Sequence, residues 1–274
     1  VHIKIRAGQL NIRASLQELW SARGLLLTLA KRDFKVRYAQ TKLGYIWALI
    51  QPLTALAVLY LVFQKALNSD TQGVSFLSYS LSGLVIWNFF SYNLSQGANA
   101  LIQARAMLQK IYFPRQVLLL SKGLVALSDL VIALILFALI GYEELYLTLW
   151  TFGSFLLAIV LSFLAAQGLA FWLAALSLRF RDLQQVVPFM VQMLFFLSPI
   201  AYSPDLWQNS LGNELSNWLL INPMYSILEI WRSGVFGLGL SNGTLGIALL
   251  YCSFLFTSGW LYFQSVERKM ADLL

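Results

Sequence analysis

Very few residues of this 274-residue chain carry groups that make or break covalent bonds. His2 is the one histidine, and Cys252 the one cysteine, set in an apolar run. A lone cysteine excludes an intrachain disulfide and any cysteine-based metal site. Carboxylates are sparse, so no convergent set of acid, base or metal ligands is in view, and neither a catalytic residue nor a metal ligand is assigned. What the sequence does concentrate is positive charge. Lys31, Arg32, Lys35, Arg37 and Lys42 crowd into one short stretch, and from Gly44 no formal charge follows until Lys65. Arginine can grip a phosphate through two parallel hydrogen bonds, whereas lysine acts as a compact point charge. Arg32, Lys35, Arg37 and Lys42 are therefore candidates for capturing a lipid phosphate headgroup, Arg37 foremost. The competing account is that the cluster only orients the apolar run behind it.

That run belongs to a membrane protein. The chain is 59% hydrophobic and 11% charged, against roughly 25% charged residues in soluble domains. Apolar segments at 44–64, 76–101, 117–141, 147–176, 186–203 and 243–264 are read as six transmembrane helices, the fourth long enough to tilt or protrude. Sorting the charges between them is informative. All 19 Lys and Arg residues except Lys65 and Arg232 fall before span one, between spans two and three, between spans four and five, at the start of span three, or in the tail. Asp70, Glu143, Glu144, Asp205, Glu214 and Glu229 lie in the alternate loops. Such asymmetry places both termini in the cytoplasm. It also accounts for the net charge of +7 without nucleic acid as a partner. Residues 1–43 lack an isolated apolar core with a small-residue cleavage site, so the first span is expected to be retained.

The fold class is thus an all-α membrane protein. Residues 1–43 form a cytoplasmic N-terminal segment, and 44–274 a six-span transmembrane domain. Leu19, Ala22, Leu26, Ala30, Phe34 and Tyr38 recur at helical spacing, which predicts an amphipathic interface helix resting on membrane lipids. Asp33 and Arg37, four apart, are expected to pair along it. Lys122 and Asp129 share a face of span three and read as a structural interhelical pair. Gln51, Gln167 and Gln192 read as interhelical hydrogen-bond partners, and the row Ser162, Ala166, Ala170, Ala174 as a close-packing face. Segment 104–116 mixes Met107, Leu108, Ile111, Tyr112 and Phe113 with Arg105, Lys110 and Arg115, and Pro114 stops any helix there. Apolar knobs ringed by cations suit a force-bearing joint, and equally a juxtamembrane turn with aromatic anchors. Segment 205–240 is too long for a simple loop and too polar for a span. At membrane depth its backbone must be covered by protein or line an aqueous cavity.

Three motifs carry a resemblance: "RDFKVRYAQTKLGYIWALIQP" at 32–52, "QKIYFPRQ" at 109–116 and "SPIAYSP" at 198–204. Together, in order and spacing, they resemble the polysaccharide-export branch of type-2 ABC-transporter permeases. The resemblance extends over nearly the whole chain. It implies export of a lipid-linked glycan, of O-antigen, teichoic acid or capsule type, across the bacterial cytoplasmic (inner) membrane. Its implied partners are a second copy of the chain and two copies of a cytoplasmic ABC ATPase. ATP and Mg would be bound by that partner, with no cofactor in this chain. The sequence agrees: a P-loop requires a Gly-Lys step, and no Lys here follows a Gly. The resemblance makes 104–116 the coupling segment, with Met107, Leu108, Lys110, Ile111, Tyr112, Phe113 and Arg115 as its ATPase contacts. It makes 205–240 two short re-entrant helices. It points to spans one and five as pore walls, where Tyr60, Phe63, Phe195 and Phe196 would let sugar faces slide along a glycan channel. Two other functions stay open on the residues: a permease of the same architecture for a drug or simple lipid, and an integral-membrane transferase.

Overall fold

A computed structural model describes residues 12–39, 44–67, 69–180, 182–204 and 221–267. Every regular element among them is helical. Two helices lead in, α1 (Ile12–Ser21) and α2 (Arg23–Ala39). The apolar face of Leu19, Ala22, Leu26, Ala30 and Phe34 turns at least partly inward and is joined by Leu29, while Lys31, Arg32 and Lys35 stay exposed. The side chain of Tyr38 lies outside those described. Through this face α2 packs on α6.

After a 3₁₀ turn at Gly44–Ile46, α3 runs over Trp47–Leu59. Pro52 inside it removes one amide from the ladder, and Thr54 Oγ1 turns back to the Ile50 and Gln51 carbonyls, 2.9 Å from each. The helix then widens into a π-helix over Tyr60–Ala66, closed where the Leu67 amide donates to the Val62 carbonyl at 3.1 Å. The remaining helices are α4 (Phe76–Gln103), the single turn α5 (Arg105–Leu108), α6 (Gln116–Ile140), α7 (Leu149–Arg179), α8 (Leu183–Leu197), α9 (Pro223–Val235) and α10 (Thr244–Glu267).

Four of these stretches are long and apolar enough to cross a membrane: Trp47–Ala66, Gln116–Ile140, Leu149–Arg179 and Thr244–Glu267. They coincide with the first, third, fourth and sixth expected spans. α4 has 28 residues and no formal charge, but it carries many serines and asparagines. Its surroundings explain that composition. Leu81, Leu84, Ile86, Phe89, Phe90, Leu94 and Leu101 are all essentially buried, and α4 is enclosed by α3, α6, α7, α8 and α9. A helix that faces protein on most sides needs less hydropathy than one that faces lipid.

α7 is the packing hub. Ser162, Ala166, Ala170 and Ala174 are buried as their spacing predicts, and Gly97 of α4 comes so close that an added Cβ would lie 2.8 Å from the Ala170 Cβ. On its other side α7 meets α10 backbone to backbone. A Cβ at Gly168 would fall 2.5 Å from the Leu255 carbonyl carbon, and one at Gly259 would collide with the Gly168 carbonyl. Trp172 stacks on Tyr262 at 4.1 Å and Phe171 meets Phe263 at 5.1 Å along the same seam. Gln167 donates to Asn93 Oδ1 at 2.9 Å and to the Leu119 carbonyl at 3.2 Å, tying α7 to α4 and α6. Gln51 and Gln192 instead lie exposed.

The fifth apolar run departs from its expected bounds. Helix α8 stops at Leu197, where Ser198 turns to extended backbone ahead of Pro199, and 198–203 continue as buried, irregular chain. Of the 205–240 segment, 205–220 lies outside the described residues. The rest holds one helix, α9, packed among α4, α7 and α10. Its start is written in the sequence. Asn222 accepts from the Met224 amide at 3.0 Å while Pro223 occupies the first turn. The Asn222 side chain also donates to Ser198 Oγ at 2.9 Å, joining α9 to the end of α8.

Candidate functional site

The bundle has two polar ends. One, here the basic end, carries α1, α2 and segment 104–116. The other, the far end, carries the loops before α4, before α7, after α8 and before α10.

At the basic end, α5 gives way to a turn closed by the Lys110 and Ile111 amides on the Met107 carbonyl, both at 3.1 Å. The seven expected contact residues do not act alike. Met107 and Leu108 are half-buried against the core, and Phe113 is 7% exposed and belongs to it. Ile111 and Tyr112, by contrast, are 61% and 70% exposed. Lys110 is exposed and Arg115 half-buried. Leu108 to Phe113 and Arg115 rim a shallow cavity of about 220 Å³. The segment thus offers two apolar knobs beside a cation on a base held by Phe113.

Beside it, α2 and α6 share a lattice of charges. Lys122 Nζ lies 2.7 Å from Asp33 Oδ2, and Arg32 donates to Asp33 Oδ1 at 2.8 and 2.9 Å. Arg37 lies 2.5 Å from Asp129 and stands over the Tyr92 ring at 4.3 Å. The same Lys122 donates to Gln103 Oε1, at 3.5 Å, at the end of α4. Besides the Arg32–Asp33 contact within α2, the ion pairs run between helices, where sequence spacing suggested Asp33 with Arg37 and Lys122 with Asp129. The reason is register. Asp33 and Arg37 are one turn apart, and Lys122 and Asp129 two turns, about 10 Å along the axis. Once α2 lies on α6, each carboxylate finds a cation on the facing helix. Burial alone would raise the Asp33 carboxyl, but the hydrogen bonds and charges of Lys122 and Arg32 outweigh it and hold it below its ordinary value. Of the expected headgroup cluster, Arg32 and Lys35 are exposed, Arg37 is half-buried in the lattice, and Lys42 lies outside the described residues.

Toward the far end, the four expected channel aromatics sit in two pairs, one on the π-helix after α3 and one at the end of α8. Tyr60 meets Phe76 edge-on at 6.0 Å, and Phe63 stacks on Tyr202 at 5.9 Å. Phe195 meets Trp87 at 5.5 Å and Phe196 at 5.4 Å. Tyr202 joins the two groups, since its hydroxyl donates to the Phe196 carbonyl at 2.9 Å. Phe196 is the exposed member of the set.

Behind them sits Arg232, buried on α9. Nη1 donates to the Pro199 carbonyl at 2.7 Å, and Nη2 donates to the Ile200 carbonyl at 2.7 Å and the Tyr79 carbonyl at 3.2 Å. Nε reaches Ser82 Oγ at 3.3 Å, and the Tyr79 ring lies 3.6 Å from the guanidinium. The Pro199 and Ile200 carbonyls come from the irregular chain after α8, which has no helical partner for them, and the Tyr79 carbonyl from α4. Arg232 is thus the group that satisfies 199–200.

A family model for the ABC-2 type transporter matches residues 24–236, covering α2 through α9. The chain belongs to the ABC-2 type transporter family. Among curated relatives, the O-antigen export system permease protein RfbA of Myxococcus xanthus is 29% identical over 218 residues, 80% of this chain and 82% of the relative. The protein of the same name from Klebsiella pneumoniae is 27% identical over 260 residues, 91% and 95% of the two chains. The polysialic acid transport protein KpsM of Escherichia coli is 22% identical over 213 residues, 77% and 81%. As an ABC-2 transporter protein it is a multi-pass membrane protein, and it resembles permease subunits that are not catalytic. Among the described residues no three His, Cys, Asp or Glu side chains gather to hold a metal.

Sequence reasoning passed over three residues of this permease that the geometry makes prominent. They are Tyr202 within the third motif, Arg232 on α9 among the far-end loops, and Glu267 at the last position of α10. For Glu267 a signal existed: it is the one formal charge in a 24-residue helix.

Proposed function

We propose that this ABC-2 permease exports a lipid-linked polysaccharide of the O-antigen, teichoic acid or capsule type across the cytoplasmic membrane. It works as a homodimer with two copies of a separate ATPase. One observation carries the reading: relatives named as O-antigen export permeases align over as much as 91% of this chain and 95% of their own length. The basic end is cytoplasmic, α4 and α8 complete six spans, and α9 with the chain before it forms the external re-entrant segment. Ile111 and Tyr112 dock the ATPase, with Met107, Leu108 and Phe113 as their base and Lys110 and Arg115 setting register. Exposed Arg32 and Lys35, with Lys42, meet the lipid phosphate. Arg37 stands behind them, anchored to Asp129. Tyr60, Phe63, Phe195 and Phe196 line the glycan path, where aromatic faces hold sugars without fixing them.

Removing the gene should abolish surface glycan and leave lipid-linked glycan inside the cell, with this chain restoring export. Unchanged surface glycan in the deletion strain would exclude the proposal. Topology has its own check. With Cys252 replaced, cysteines at Asp70 and Glu143 should react with an impermeant thiol reagent added outside, and one at Lys110 should not.

A further inference from the structure

The docking segment has little of its own to hold it rigid. Helix α5 is a single turn, and α6 begins at Arg115 with no side-chain cap from its own neighbours. The four first amides of a helix need acceptors from elsewhere. Here one comes from a distant element. Glu267, the last described residue of α10, accepts the Arg115 amide on Oε1 at 2.8 Å and faces Gln116 Nε2 at 3.5 Å. The exchange is mutual: Arg115 Nη1 donates to the Glu267 carbonyl at 3.0 Å, at the end of α10. Two turns back along α10, Trp260 Nε1 donates to Gln116 Oε1 at 2.8 Å. Each helix end thus receives the charge its dipole favours, a carboxylate at the start of α6 and a guanidinium at the end of α10.

We propose that Glu267 and Arg115 form a reciprocal clamp that fixes the docking segment to α10, making Glu267 a positioning residue for ATPase coupling. The inference rests on the docking role proposed for Ile111 and Tyr112. Helix α10 is a stiff support, because it meets α7 backbone to backbone at Gly168 and Gly259. Displacement of the two knobs by the ATPase reaches α6 directly through the chain. Through the clamp it reaches α10, and with it α7, in the same movement. Without the clamp, the start of α6 keeps, among the described residues, only the Trp260–Gln116 bond to α10 and the Gln167–Leu119 bond to α7, so its movement is passed to that pair less fully.

The test uses the full chain co-expressed with its ATPase in native membranes. In Glu267→Ala, insertion and ATPase co-purification should persist and ATP hydrolysis continue, while export per inserted transporter falls about tenfold, within the range of coupling effects along contact networks. Glu267→Gln keeps an oxygen acceptor for the Arg115 amide and should rescue most of that loss, which a purely electrostatic role would not allow. A nitroxide on Gln109→Cys, in a Cys252→Ser background, should become more mobile in Glu267→Ala. Wild-type export, or unchanged nitroxide mobility, in Glu267→Ala would overturn the clamp. If that variant fails to insert, Glu267→Leu, which keeps bulk at the end of α10 but offers the Arg115 amide no acceptor, takes its place. The same uncoupling is then expected, and wild-type export would overturn the inference. Failure of the docking reading has a separate signature: Tyr112→Ala would keep its ATPase while the nitroxide still reported the clamp.

Discussion

The two ends of this permease hold buried charge in opposite ways. At the basic end, cations and carboxylates on α2 and α6 neutralise one another side chain to side chain, at the edge of solvent. At the far end, Arg232 is held by three backbone carbonyls, a hydroxyl and an aromatic face. An ion pair can exchange partners, because another charge of the same sign serves as well. A carbonyl cage cannot, because its acceptors are fixed by the path of the chain. The basic end is therefore able to rearrange, as the headgroup capture and ATPase docking proposed for it would require. The far end is built to keep 198–203, α4 and α9 in one arrangement.

The largest effect should follow breaking the cage. Arg232→Met preserves bulk but leaves the buried Pro199 and Ile200 carbonyls without their donor, at about 1–3 kcal/mol each. Inserted protein should fall sharply and the remainder lose its thermal transition in detergent. Arg232→Lys should rescue little, since one ammonium cannot span the same acceptors. A melting temperature within a few degrees of wild type for either variant would sink the contrast.

Breaking the lattice should cost less. Asp33→Ala and Lys122→Ala should each destabilise by about 1 kcal/mol, given partial exposure. The exchange Asp33→Lys with Lys122→Asp should recover part of the loss, as a double-mutant cycle in thermal unfolding would reveal. Additive losses would mean that the two residues do not act as a pair.

Acidification separates the ends without mutation. The folded-state pKa of Asp33 is depressed, so its contribution is present above the ordinary carboxylate value, about 4, and is lost as pH falls through the lower folded value. Amide exchange in α2 should rise only in that acid range, while exchange around Arg232 stays unchanged. Loosening of α2 near neutral pH would contradict the assignment.

The smallest effect on stability, and the sharpest on function, should come from the exposed cations. Arg32→Ala with Lys35→Ala should leave thermal stability within about 0.5 kcal/mol of wild type while lowering surface glycan per inserted transporter. Full export by the double variant would leave the cluster with orientation as its only role.

The four long apolar helices were readable from the sequence, because lipid imposes length and hydropathy on anything that crosses it. The start of α9 carries a sequence signal in Asn222-Pro223 that the expectation for 205–240 did not use. Charge pairing was not readable. The spacing of Asp33 and Arg37, or of Lys122 and Asp129, describes one helix at a time, and the partners became defined only when α2 lay on α6. Arg232 shows the same limit in another form. Its partners are carbonyls, which every residue has, so nothing in the spelling of 198–200 marks them as acceptors. The segment proposed to dock the ATPase divides into base and knobs only through the direction of Phe113, which points into the core directly after the exposed Ile111 and Tyr112.

The glycine contact between α7 and α10 sets an order for biogenesis. Gly168 leaves the ribosome long before Gly259, and at ordinary translation speeds the interval is on the order of ten seconds. Through that time α7 sits in the bilayer with a notch shaped for a helix not yet made. Any other small-faced helix at the insertion site can occupy it. A Gly168→Ala chain would close that notch to strangers and to α10 alike, so its defect should register first as slowed maturation in pulse-labelled membranes, before any loss appears in the finished protein.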